Sequence, residues 1–73
     1  MYLLQTEKEL VIEAMTHAIS DAAFGIEYHQ NRAFEFGETG QDDKKKEEQK
    51  KVGREKDKIR TATQLIRKIM NED

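Results

Sequence analysis

Apolar residues in this chain recur in two segments with helical spacing, separated by a short glycine-bearing stretch. In the first, Val11, Ile12, Met15, Ala18, Ile19, Ala22, Ile26 and Ala33 follow one another at three- and four-residue intervals. In the second, Val52, Ile59, Ala62, Ile66, Ile69 and Met70 form a narrower stripe with Leu65 beside it. Between them, Gly37-Glu38-Thr39-Gly40 is a stop signal, with Gly37 placed to adopt the left-handed conformation that ends a helix. Thr6-Glu7-Lys8-Glu9 reads as a capping box, and the acids also suit the positive end of the helix dipole. Asp42 and Asp43 offer a cap and a dipole complement to the second helix. Proline is absent, and only Gly25 interrupts the first pattern. The pattern predicts an all-α, two-helix antiparallel hairpin with helices over about 6–36 and 42–70, joined by a turn over 37–41. The 73 residues read as a single helical-hairpin domain, with 1–5 as an apolar N-terminal arm containing Tyr2, Leu3 and Leu4.

The two helices are unequal. On a helical wheel the apolar arc of the first, from Ala14 through Val11, Met15, Ile26 and Ile19 to Ala23, spans about half the circumference. The first half of the second helix, residues 42–51, holds no apolar residue. Antiparallel pairing about the turn juxtaposes residues whose numbers sum to about 80: Val11 with Ile69, Ala18 with Ala62, Ala22 with Ile59. Phe34 and Phe36 then face only lysines and glutamates of their own chain, and are expected to need cover from elsewhere. Ala14, Ala18, Ala22 and Gly25 would allow close helix approach, within the hairpin or at a dimer seam.

Size strengthens the expectation of self-association. A chain this short buries only about 60% of the surface its unfolded form exposes, so it needs a staple. Without cysteines, disulfides and thiolate zinc sites are excluded. A second copy is the economical alternative, giving a four-helix or larger helical bundle. No run approaches the roughly 18 apolar residues of a membrane span, and the start lacks the basic region of a signal peptide. A cytoplasmic protein without membrane attachment is expected.

Charge adds one candidate and weakens it. Residues 41–60 hold nine basic and six acidic side chains, while the whole chain has a net charge of −2. The acids interleave with the lysines at i,i+4 spacing, and no aromatic residue sits among them to stack on bases. The pattern describes a solvated helical face and argues against nucleic-acid binding.

Two further features carry candidate chemistry. His29 lies at the centre of the apolar arc, either as a hydrogen-bonded core residue or as a pH-sensitive contact. His17, Asp21, Tyr28 and Arg32 form a column along one flank. Tyr28 could stack on a ligand while Arg32, with Arg60 or Arg67 from the second helix, takes a phosphate at a subunit junction. The ligand-binding candidates are therefore His17, Tyr28, Arg32, Arg60 and Arg67. The candidates for an oligomer or partner interface are Leu4, Leu10, Ile12, Ile19, Ile26, His29, Phe34 and Phe36. Phe24 could join Leu10 and Phe36 in anchoring a partner. No metal, cofactor or catalytic residue is expected: Glu-x-x-His pairs, phosphate loops and nucleophile elbows are all missing.

The general type is similar to the short helical hairpins that phages and mobile elements use as inhibitors, adaptors or signal-sequestering proteins. Three functions follow as expectations. The first is a non-enzymatic homo-oligomer that occupies a protein partner. The second is a sponge for an anionic, nucleotide-like ligand, and the third a structural coiled-coil element of a larger assembly.

Overall fold

The computed structural model describes residues 4–71. Two α-helices, α1 (Gln5–Glu38) and α2 (Asp42–Met70), lie antiparallel in an all-α hairpin of 53 × 15 × 11 Å. Within the N-terminal arm, Met1, Tyr2 and Leu3 lie outside the described residues; Leu4 is the N-cap of α1 and is exposed.

The helix ends differ from the sequence reading in their chemistry. At the start of α1 the capping box is not built on Thr6 and Glu9. The Glu7 carboxylate instead accepts a hydrogen bond of 2.8 Å from the Leu4 backbone N–H, and the helix begins at Gln5. At the other end, Gly37 stays within the helix, and Gly40 takes the left-handed conformation (φ 74°). Gln41 N–H donates to the Phe36 carbonyl (2.8 Å) and Gly40 N–H to that of Gly37 (3.3 Å), the paired bonds of a Schellman motif. Only a residue without Cβ adopts that φ at little steric cost, so the left-handed position falls on Gly40. The role of Gly37 is close approach: a Cβ there would stand 3.3 Å from the Lys45 side chain. Asp42 and Asp43 occupy the first turn of α2 as dipole complements; the N-cap is Gln41, with no side-chain cap bond.

Both helices meet along one seam whose positions alternate by four and three residues. On α1 these are Ile12, Met15, Ile19, Ala22, Ile26, His29, Ala33 and Phe36, all buried or half-buried. On α2 they are Lys45, Glu48, Val52, Glu55, Ile59, Ala62, Ile66 and Ile69, again all buried or half-buried. That is the heptad spacing of antiparallel helices packed knobs-into-holes. The expected register holds: Gly25 lies against Glu55, and Arg32 bonds Glu48, pairs whose numbers sum to 80. Ala22, Ala33, Val52, Ala62 and Ile69 are the buried apolar residues. Ala14, Ala18 and Ala23, at the edges of the wide arc, remain exposed, so Ala18 does not fill the seam beside Ala62.

Candidate functional site

The charged first half of α2 is part of the seam. Stepping back four residues from Val52 reaches Glu48, and three more reaches Lys45; both are side chains that the seam takes in. Glu48 is only 5% exposed. A buried carboxylate is costly unless ligated, and this one is ligated from both helices. His29 Nδ1 lies 2.5 Å from its Oε2, while Arg32 Nε donates to Oε1 at 3.4 Å and Lys51 Nζ at 3.5 Å. Burial by itself would raise the carboxyl pKa. The His29 hydrogen bond, the Lys51 charge and the Arg32 hydrogen bond together outweigh it and hold Glu48 below the usual carboxylate value. Arg32 is raised in turn, first by Tyr28 and then by the hydrogen bond to Glu48, and so stays charged.

The same cluster covers Phe36. The Arg32 guanidinium carbon stands 5.1 Å from the centre of the Phe36 ring and Lys44 Nζ 5.7 Å from it, both within cation–π range. Phe36 is half-buried. Within one chain the ring is thus already partly covered, by the Arg32 and Lys44 cations of its own chain. Phe34 is different. It remains 66% exposed beside a groove floored by Ala33 and Val52 and flanked by Lys45, Gln49 and Lys56.

Among the ligand candidates, Tyr28 and Arg32 come together, the guanidinium 5.6 Å from the ring centre. His17 is exposed one turn from Glu13, its Nε2 3.9 Å from that carboxylate. Arg60 is exposed with Asp57 at 3.6 Å, and Arg67 is exposed in the last turn of α2; one chain does not bring either to Tyr28. Among the interface candidates, Ile12, Ile19, Ile26, His29 and Phe36 lie half-buried along the intrachain seam, while Leu4, Leu10 and Phe34 are exposed.

A second exposed surface lies on the flank of α1. Phe24 is 70% exposed, Tyr28 50% and Leu10 62%. Phe24 and Tyr28, one turn apart, line a shallow groove with Glu27, Asn31, Arg32 and Glu35. Sequence reasoning placed Tyr28 with Arg32 but did not join them to Phe24, Glu27 and Glu35; the i,i+4 spacing of Glu27, Asn31 and Glu35 was the available signal. Among the described residues, no three metal-capable side chains converge, and no helix is long and apolar enough to cross a membrane. Comparison with protein-family models, curated proteins and solved structures finds no match.

Proposed function

We propose that this chain is a non-catalytic helical-hairpin binding protein, acting as a homo-oligomer and occupying a protein partner as an inhibitor or adaptor. The observation that carries this reading is the exposure of Leu10, Phe24 and Phe34 on a hairpin whose own seam is already filled. Burying such a side chain fully is worth about 1.5–3 kcal/mol, so three of them are a substantial drive to associate. Rigid aromatic anchors also dominate the energetics of helical interfaces. The test is site-specific photocrosslinking in source cells. A photoreactive phenylalanine analogue at position 24 or 34 is expected to yield discrete adducts, and the same group at exposed Gln64 none. Adducts equally strong at position 64, or absent at 24 and 34, would overturn the reading.

A further inference from the structure

One side of the seam carries lysines without acids. Near the turn, buried Ala33 and Val52 floor a groove that runs between α1 and α2. Phe34 walls it from α1, and Lys45 and Lys56 stand on the α2 side. Gln30 and Gln49 add amides that make no hydrogen bond among the described residues, and no acidic residue lines the groove. On the other side of the seam the lysines are engaged: Lys51 with Glu48, Lys58 with Glu55, and Lys44 over the Phe36 ring. The side chains of Lys45 and Lys56 make no ion pair, hydrogen bond or ring contact among the described residues. Lys45 is also held in place. Gly37 has no Cβ, and the Lys45 stem fills that space, with Nζ 3.4 Å from where a Cβ would stand. An ammonium group already laid along α1 loses less freedom when it takes a counter-ion.

We propose that this groove docks an amphipathic helix of a partner protein in which carboxylates flank an apolar anchor. The proposal rests on the partner-occupying half of the function above and gives the partner's chemistry. An apolar side chain of the partner would fill the space beside Phe34, over Ala33 and Val52, as helices laid in grooves do. Acids on either side of that anchor would pair with Lys45 and Lys56 against an apolar floor, where water and salt screen them less than on an open surface. Lys45 and Lys56 are eleven residues apart on α2, or about 16 Å along its axis. Eleven residues make about three helical turns. One face of a partner helix lying alongside therefore offers acids at i and i+11, with apolar residues at i+4 and i+7. A second copy meeting this face by two-fold symmetry would set lysine against lysine, so charge selects an acidic partner instead.

The probe is a synthetic library of alanine-based helical peptides, selected on the full chain, whose positions i, i+4, i+7 and i+11 are each drawn from Glu, Lys, Gln, Leu and Phe. Enrichment of Glu at i and i+11, with Leu or Phe between, is expected. Replacing those Glu residues by Lys should weaken the selected peptides by about tenfold or more. F34A and K56E alter exposed side chains without hydrogen bonds or ion pairs among the described residues, and each should weaken binding by about tenfold. K45E/K56E is expected to invert the preference towards Lys at i and i+11, which an unfolded variant cannot do. Should that variant not fold, because Lys45 is half-buried, F34A and K56E decide. K50E/R54E makes the same change of charge outside the groove and should leave the preference as it was. No enrichment, enrichment of Lys-flanked peptides by the unaltered chain, or binding indifferent to F34A and K56E would each overturn the proposal. So would self-association that F34A abolishes, because a second copy would then fill the groove. Adducts at positions 24 and 34 in cells, without acid preference in the library, would sink the groove's chemistry and leave the protein-binding reading intact. Acid-flanked peptides that bind while those adducts are missing would do the reverse.

Discussion

The two halves of this hairpin solve one packing problem with different materials. Toward the chain ends the seam sets Ile12, Met15, Ile19 and Ala22 against Ile59, Ala62, Ile66 and Ile69, an ordinary apolar interface. Toward the turn, the same alternation places His29, Ala33 and Phe36 opposite Lys45, Glu48, Val52 and Glu55. A position in the seam therefore requires that a side chain be satisfied there, and apolar character is only one means. Glu48 is satisfied by three donors, Phe36 by two cations, and Glu55 by Lys58 at 3.1 Å. We expect the apolar half to supply most of the stability and the polar half to supply alignment, because a buried polar layer tolerates few alternative registers.

The largest test strikes the apolar half. Ile69→Ala is expected to cost about 2–3 kcal/mol through lost burial and an imperfectly closed cavity; urea unfolding monitored by circular dichroism reads it. A loss under half a kcal/mol would mean that the terminal layers are not where stability resides.

Next comes Glu48→Ala, with a smaller loss, because His29, Arg32 and Lys51 are exposed enough to regain water. Its signature is local. Amide exchange should accelerate at residues 26–36 and 44–55 and stay unchanged at 12–22, since opening follows the contacts removed. Uniform acceleration along both helices would erase the distinction between the halves. Glu48→Leu sharpens it: the apolar stripe becomes continuous, so the melting temperature should hold or rise while helix alignment broadens. Distances between spin labels at Ser20 and Thr61 measure that spread.

The pH dependence is weaker. Glu48 titrates below its ordinary value in the fold, so its contribution is complete above the unfolded pKa and is lost as pH falls through the folded one. Between pH 6 and pH 3 the melting temperature should fall, and it should fall less in Glu48→Gln. An equal fall in both would place the acid sensitivity elsewhere. The smallest effect is a gain. Gly53 lies in the interior of α2 with open space where a Cβ would stand, so Gly53→Ala should add about 0.5–1 kcal/mol. The neighbouring case, Gly25, differs, because its missing Cβ makes room for the Glu55 side chain at 3.3 Å.

Much of this was legible from residue order. The span of α2 and the antiparallel register follow from spacing alone, because a helix repeats its faces every three to four residues. The polar half was less legible for a specific reason. An apolar stripe can be extended only while apolar residues continue it, and at Glu55, Glu48 and Lys45 the stripe persists in spacing but changes in chemistry. The signal was the unbroken four–three alternation back from Ile69, which survives the change of residue type. His29 was placed at the centre of the face, but its partner 19 residues away was beyond a reading of single helices.

By itself, then, the sequence determined two helices, a turn rich in glycine, a pairing register and an excess of apolar surface on the first helix. Those are local properties, set by backbone geometry and by the periodicity of side chains. Tertiary structure alone decided which charges enter the seam. Burial of Glu48 requires donors that reach it simultaneously from both helices, and residues distant in the chain meet only when the helices are docked. It also decided which aromatic is covered: Phe34 and Phe36 are two positions apart and look alike in the sequence. The direction of each side chain from the helix gives Phe36 its cations and leaves Phe34 exposed.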